Sequence, residues 1–400
     1  MRLGEWGSRR AVDKILSLAS VLLLVACVVA PPQGAPPRMA LSPVSFADLP
    51  GWKDDDLGAA LNNFLQSCAR LGVIPPDQRL GGEGAAAERG GRAEDWRGVC
   101  EAARHVGRGD SEAARQFFES RFQAFSIQDG AATEALYTGY YEPELHGARS
   151  PGGAFQIPLL ARPLDLVTAD LGEFAADLKG HHIAGRVNNG RLVPFPTRAE
   201  IDAGALASER LDLLWVDSAI DAFFMQIQGS GRIRLTDGAL VRVTYAGQNG
   251  RPYVPIGRVL AARGEIPANQ ISEQTIRAWL VAHPKEARAV MEENPNYVFF
   301  RELRDYPANL GPPGALGAPL APGRSLAVDR QFIPLGAPVF VATTDPQRGA
   351  PFAHLMVAED IGGAITGPLR ADIFFGWGEE AAQQAGKMDA KGAEYLLLPR

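Results

Sequence analysis

The sequence predicts a mainly β protein, barrel-like and decorated with helices. Three observations carry that expectation. From Thr138 onward the chain breaks into short apolar or alternating runs, TGYYEPEL, FQIPLLARP, RLVPF, GRIRL and ALVRVTYAG, punctuated by Gly and Pro. The pattern returns near the C-terminus in SLAVDRQFIPLGAPVFVATT, AHLMVAEDIGGAIT, ADIFFG and YLLLP. The 44 glycines and 30 prolines make the chain loop-rich, and the regular strand-helix alternation of a Rossmann fold or a triose-phosphate-type barrel is missing. At 400 residues the chain exceeds one ordinary core, so two domains are expected.

Taken in order, the elements begin with an export signal. Arg2, Arg9, Arg10 and Lys14 precede the apolar run Ile15 to Ala26, which ends directly at Cys27. That run is too short for a comfortable membrane span and has the layout of a signal peptide over residues 1–26. Leu24-Val25-Ala26-Cys27 resembles a bacterial lipobox, in which the cysteine is diacylated and becomes the first mature residue. A plain anchor helix, or an ordinary signal with a chance cysteine, is the alternative. Acyl chains on Cys27 would bury enough methylenes for stable anchoring. Val28, where an aspartate is absent, resembles lipoproteins sorted to the outer membrane, which implies lipid anchoring at its periplasmic face. Residues 27–45, rich in Pro and Ala, read as a tether. Leu57, Leu61, Phe64, Leu65 and Cys68 predict a helix over 59–69, and Ala114, Phe117, Phe118 and Phe122 another over 111–122. Between them GGEGAAAERGGRAED reads as a loop. Further helices are expected at 256–263 and 273–289, with Pro284 dividing or bounding the second.

Composition excludes several classes. A formal charge of −6 offers no general polycation for a phosphate backbone, so nucleic acid is not an expected partner. No G-x-G-x-x-G follows a clear strand and no P-loop occurs, so nucleotide chemistry has no foothold. H-E-x-x-H is absent, His181-His182 lies in a polar loop, and neither a metal nor another cofactor is expected. Ser218 and Ser230 lack the G-x-S-x-G elbow of a nucleophile. In an exported protein Cys68 and Cys100 can form a disulfide once Cys27 is acylated, with two buried thiols as the alternative.

The sharpest chemistry lies near the C-terminus. Asp329, Asp360 and Asp372 each sit at the edge of an apolar strand beside a Gly- or Pro-containing turn. Any one of them could simply accept backbone N–H bonds in a turn. Asp372 has the stronger case, because Ala371 and Ile373-Phe374-Phe375 surround it with apolar side chains. Partial desolvation would raise its pKa and let it hold a proton near neutral pH, as a general acid must. Aromatic and amide side chains supply the other half of a carbohydrate site: Tyr137, Tyr140 and Tyr141; Gln226, Gln228 and Ser230; Tyr245, Gln248 and Asn249. Flat rings stack on sugar C–H faces while amides and hydroxyls read polar groups, although each tyrosine could equally belong to a barrel core.

TGYYEP at 138–143, DSAIDAFFMQIQGSGRIRL at 217–235, YAGQNGRPYVPIGRVL at 245–260, NPNYVFF at 294–300, AVDRQFIPLG, VAEDIGGAITG and RADIFFGWG together resemble the membrane-bound lytic murein transglycosylase A family, with its C-terminal three-aspartate domain. The resemblance covers most of the chain from about residue 130. It implies cleavage of the β-1,4 bond between N-acetylmuramic acid and N-acetylglucosamine in peptidoglycan, leaving a 1,6-anhydromuramic end. It implies a double-psi β-barrel built from both chain ends, residues 46–143 and 306–400, with an inserted smaller β-barrel domain, residues 144–305, that binds glycan. Asp372 matches the family's catalytic acid, Asp360 its supporting carboxylate and Asp329 the third aspartate. Thr138 and Tyr141, with Gln228, Ser230, Tyr245 and Gln248 from the insert, are the expected substrate-binding residues. A monomer is expected, with peptidoglycan glycan strands and the outer membrane as partners and other cell-wall enzymes as further candidates. A noncatalytic peptidoglycan-binding lipoprotein is the alternative, and a hydrolase would need a second carboxylate such as Glu142 to hold water.

Overall fold

The computed structural model of the protein describes residues 38–107, 109–178 and 182–400; the expected signal peptide, Cys27 and His181 lie outside the described residues. Three strands precede residue 143: β1 (Met39–Val44), β2 (Phe122–Asp129) and β3 (Ala135–Glu142). Nine follow in the middle: β4 (Glu144–Ala148), β5 (Ile157–Leu160), β6 (Val167–Asp170), β7 (His182–Asn188), β8 (Arg191–Pro194), β9 (Asp212–Val216), β10 (Ser230–Leu235), β11 (Leu240–Gln248) and β12 (Val298–Glu302). Five complete the set: β13 (Ser325–Val328), β14 (Pro338–Thr344), β15 (Pro351–Asp360), β16 (Arg370–Trp377) and β17 (Asp389–Pro399). The protein is mainly β.

The first and last groups share one sheet, in the order β1-β2-β17-β14-β15-β13-β16-β3. An additional β17–β3 pairing joins six of these strands into a ring. Two of its contacts are parallel, β13 with β15 and β16 with β3. The ring is filled by alternate residues such as Leu326, Val328, Val339, Val341, Ile373, Leu396 and Leu398, all fully buried. Helix Leu57–Leu71 packs on it through Leu61, Phe64 and Cys68, and helix Ser111–Arg121 through Phe117 and Phe118. Cys68 and Cys100 form a disulfide between helices Leu57–Leu71 and Arg97–Arg104, which settles the alternative left open by the sequence.

The middle strands form a six-stranded sheet, β12-β11-β10-β4-β9-β5, and a three-stranded sheet, β6-β7-β8. Helix Ala219–Gln228 lies against the six-stranded sheet, and helices Ile256–Ala262, Glu273–Ala282 and Pro284–Glu292 pack on its other side. Pro284 opens the last of these at its first position, where a missing N–H costs nothing, so the predicted division falls where expected.

Four local readings change. Residues 39–44, expected in the tether, form an edge strand paired with β2 from Met39↔Asp129 to Val44↔Ala124. The expected loop over 81–95 contains helix Ala85–Gly90, whose Ala86 is fully buried beside Trp96 in the core. Ala219–Gln228, where no helix is expected among the strand-like runs after Thr138, is helical: Ser218 accepts from the backbone N–H of Asp221 and caps it. The C-terminal region contains helix Gly378–Lys387 among its strands.

The first and second sheets meet at the end of β3. Glu142 is completely buried and its carboxylate takes Arg232 of β10 and Arg242 of β11, each at 2.8 Å. Both guanidiniums also donate to the Leu310 carbonyl, and Arg232 stacks over Trp377 at 4.0 Å. The Glu142 carboxylate can tolerate such burial because two cations face it, and the backbone carbonyls and Trp377 meet their surplus positive charge.

Candidate active site

Strand register brings Asp360 and Asp372 together across a single residue. Ala327 in β13 lies opposite Asp360 of β15 on one side and opposite Asp372 of β16 on the other. Residues directly opposite share a face, so both carboxylates flank one small methyl group. The arrangement depends on a bulge: Leu326 pairs with Ala358 but Ala327 pairs with Asp360, leaving Glu359 as the extra residue. Glu359 is fully buried and turned to the other side, where Ser67, Ser325 and Asn63 donate to it. Burial pushes its carboxyl up to about 7.

Asp372 continues the row onto β3, where it faces Thr138. The Thr138 hydroxyl donates to Asp372 Oδ1 at 2.5 Å. Burial raises the Asp372 pKa, opposed by that hydrogen bond and by the Arg370 charge. The carboxyl is thereby better able to hold a proton than an ordinary aspartate, which is what a general acid requires. Asp360 is pinned: Oδ2 accepts from Tyr140 Oη at 3.1 Å and Oδ1 from the Ala315 N–H at 2.9 Å. Burial drives its pKa to about 6, with the Asp372 charge pushing the same way and its hydrogen bonds opposing. Tyr140, Phe374, Ala327, Leu320 and Ile365 form the apolar surround that desolvates the pair.

The other predicted positions divide. Asp329 follows β13, but both its oxygens accept backbone N–H groups, from Gln331 at 3.0 Å and Gly367 at 2.8 Å. It fastens two loops beside the row. Tyr141 is buried, and its hydroxyl donates to Glu273 at 2.9 Å. Gln228 accepts from the Tyr141 N–H and donates to the same Glu273, so these two join β3 to helix Glu273–Ala282. Ser230 is buried at the start of β10 opposite Thr244. Tyr245 on β11 is 47% exposed, and exposed Gln248 on the same strand accepts from Asn296 at 2.8 Å. Among the described residues no cluster of three or more His, Cys, Asp or Glu side chains is arranged to hold a metal.

Sequence reasoning missed Arg370, Tyr140 as the partner of Asp360, and Glu273. Arg370 had a readable signal, since a residue two before Asp372 in a strand projects from the same face. Tyr140 and Glu273 had none, because their partners lie 220 and 132 residues away.

Residues 136–301 match the family described as the MltA specific insert domain, and residues 324–398 match the 3D domain. With the ring and its paired carboxylates, these matches define the class: a lytic transglycosylase. Membrane-bound lytic murein transglycosylase A of Escherichia coli strain K12 is 34% identical over 296 residues, 72% of each chain. The chain belongs to the membrane-bound lytic murein transglycosylase A family. The crystal structure of membrane-bound lytic murein transglycosylase from Agrobacterium tumefaciens is 37% identical with a TM-score of 0.79, covering 90% of this chain and 98% of that one. That of Escherichia coli MltA with bound chitohexaose is 29% identical with a TM-score of 0.61, covering 91% and 95%.

Proposed function

We propose that this protein cleaves the MurNAc-β-1,4-GlcNAc bond of peptidoglycan without water, leaving a 1,6-anhydromuramic end, and that Asp372 is the acid and then the base. The observation that carries this reading is the pair of buried aspartates in which Asp360 has both oxygens held by Tyr140 and Ala315 while Asp372 is held through Oδ1 by Thr138, with burial raising the Asp372 pKa. Asp372 first gives its proton to the glycosidic oxygen as the C1–O bond breaks. The muramic 6-hydroxyl then attacks C1, and its proton passes to the same carboxylate. One bond to C1 is exchanged for another and no water enters. Holding the 6-hydroxyl next to C1 supplies a large effective concentration, and the anionic character of Asp360 favours the oxocarbenium-like charge. The structure of Escherichia coli MltA with bound chitohexaose supports a glycan as the ligand.

Tyr245 supplies a stacking face, while Thr138, Tyr141, Gln228, Ser230, Gln248 and Asp329 bind the glycan or buttress the residues that do. In this reading residues 46–143 and 306–400 form a double-psi barrel and residues 144–305 an inserted glycan-binding domain. The six-strand ring with its parallel β13–β15 and β16–β3 contacts supports the barrel. The lipobox at Cys27 supports anchoring at the periplasmic face of the outer membrane. A hydrolase is disfavoured, because Glu142 is buried and shared by two arginines and so has no room for a nucleophilic water. Asp372→Asn tests the assignment. Glycan binding and fold should persist while release of anhydromuropeptides from murein falls at least ~1,000-fold; an unchanged rate rejects it.

A further inference from the structure

Arg370 lies two residues before Asp372 on the same strand and has no role in the reaction as written above. Its Nη2 donates to Thr138 Oγ1 at 2.6 Å, and its Nη1 donates to the carbonyls of Ala371 at 2.7 Å and Leu136 at 3.3 Å. The two carbonyls fix the plane of the fork, so the Nη2 donor is aimed at the threonine. A guanidinium has only donors, so Thr138 must accept from it and keeps one hydrogen to give. Among the described residues that hydrogen has one acceptor, Asp372 Oδ1 at 2.5 Å.

We propose that Arg370 is a positioning residue for the acid: it orients the Thr138 hydroxyl so that Asp372 Oδ1 is always occupied by a donor and the catalytic proton resides on Oδ2. The inference rests on Asp372 being the acid. Its consequence is that one defined oxygen faces the glycosidic bond with the proton, and the same oxygen receives the proton of the 6-hydroxyl. Without the relay the carboxyl proton could sit on either oxygen and the carboxyl plane would no longer be held with Oδ2 toward the glycosidic bond.

The charges around Asp372 are few. On its own strand is Arg370; β15 brings Asp360, β3 brings Tyr140, and β13 brings only Ala327. On β17, Asp389 pairs with Thr138 and Lys391 with Leu136, and buried Glu394 feels the Arg370 charge. Helix Gly378–Lys387 carries Glu379, Glu380 and Lys387. Arg370 is the cation that opposes the upward push of burial on Asp372.

The test measures anhydromuropeptide release from murein sacculi by the full-length protein as a function of pH. The alkaline limb of kcat/KM reports loss of the Asp372 proton. Arg370→Gln removes the nearby positive charge, so that limb should move up by about one pH unit, with kcat lowered ~10-fold and KM unchanged. Arg370→Lys keeps the charge but not the fork; its limb should stay near the wild-type position while kcat still falls. Thr138→Val removes the donor to Asp372 Oδ1 and should move the limb further than Thr138→Ser, which keeps a hydroxyl. If Arg370→Gln and Arg370→Lys both keep the wild-type limb and kcat while Asp372→Asn is inactive, the positioning role is wrong and the acid assignment stands. Activity in Asp372→Asn would instead remove the assignment itself. If Arg370→Gln fails to fold, the kcat and limb of Arg370→Lys decide alone.

Discussion

Replacing Glu142 by Gln removes the one carboxylate between two buried guanidiniums. Glu142 has no exposed side-chain surface, and Arg232 and Arg242 retain 5% and 3%. Their remaining partners are the carbonyls of Pro307, Ala308 and Leu310, which are dipoles and cannot neutralise two charges. Removing one partner of a buried ion pair costs about 3–5 kcal/mol, a large share of a total stability of about 5–15 kcal/mol. Because the group sits where β3 meets β10 and β11, the loss should weaken the union of the two sheets. Urea unfolding followed by tryptophan fluorescence suits the purpose, since Trp377 lies under Arg232 at 4.0 Å. The midpoint should fall by about 1 M or more and should not recover in high salt, because buried charges are poorly screened. Glu101→Gln is the control: it breaks an ion pair with Arg104 whose side chains are 62% and 55% exposed, and should cost less than about 1 kcal/mol. A Glu142→Gln protein as stable as the Glu101→Gln control would refute the electrostatic account of this junction.

Other outcomes follow from the same structure. The Cys68–Cys100 bridge closes a sequence separation of 32 residues, so Cys68→Ala with Cys100→Ala should lose about 4 kcal/mol in the chain-entropy treatment; thermal unfolding with and without reductant checks this, and reductant should not affect the double variant. Glu394 is fully buried with no hydrogen-bond partner for either oxygen, and burial raises its pKa from 4.5 to about 8. The folded protein therefore keeps a proton that the unfolded chain releases between those values. The stability this confers is complete below pH 4.5 and is lost as pH rises through 8. Glu394→Gln should flatten the upper part of that decline and be more stable than wild type at alkaline pH by a few kcal/mol, since each pH unit separating the folded and unfolded values is worth about 1.4 kcal/mol; identical pH–stability curves would contradict it.

Much of the ring was legible because its strands alternate or run apolar between Gly and Pro, as in SLAV, PVFV and YLLL. Asp372 was legible for the same reason: a charged residue inside ADIFF must be desolvated. Helix Ala219–Gln228 was not, since it is apolar on two sides. Ala222 and Met225 face the six-stranded sheet while Phe223 and Phe224 face the neighbouring helices, so no single stripe repeats every third or fourth residue. Helix Gly378–Lys387 buries only Ala381 and Ala385, too little apolar signal to read. Strand β1 lies in a Pro- and Ala-rich segment and exists because β2, much later in the chain, offers an edge. The pairing of Asp360 with Asp372 needs the register of three strands and a bulge at Glu359, none of which a local pattern encodes. Family motifs pointed to Asp360 and Asp372, while the geometry that couples them through Ala327, Thr138 and Arg370 came from the fold.

The central claim is that a sugar hydroxyl, not water, is the nucleophile. Murein sacculi digested by the full-length protein in isotopically labelled water, with products read by mass spectrometry, test it most directly. The account predicts muropeptides lighter by one water than hydrolytic products and free of solvent oxygen. Reducing-end muropeptides that carry the label would contradict it.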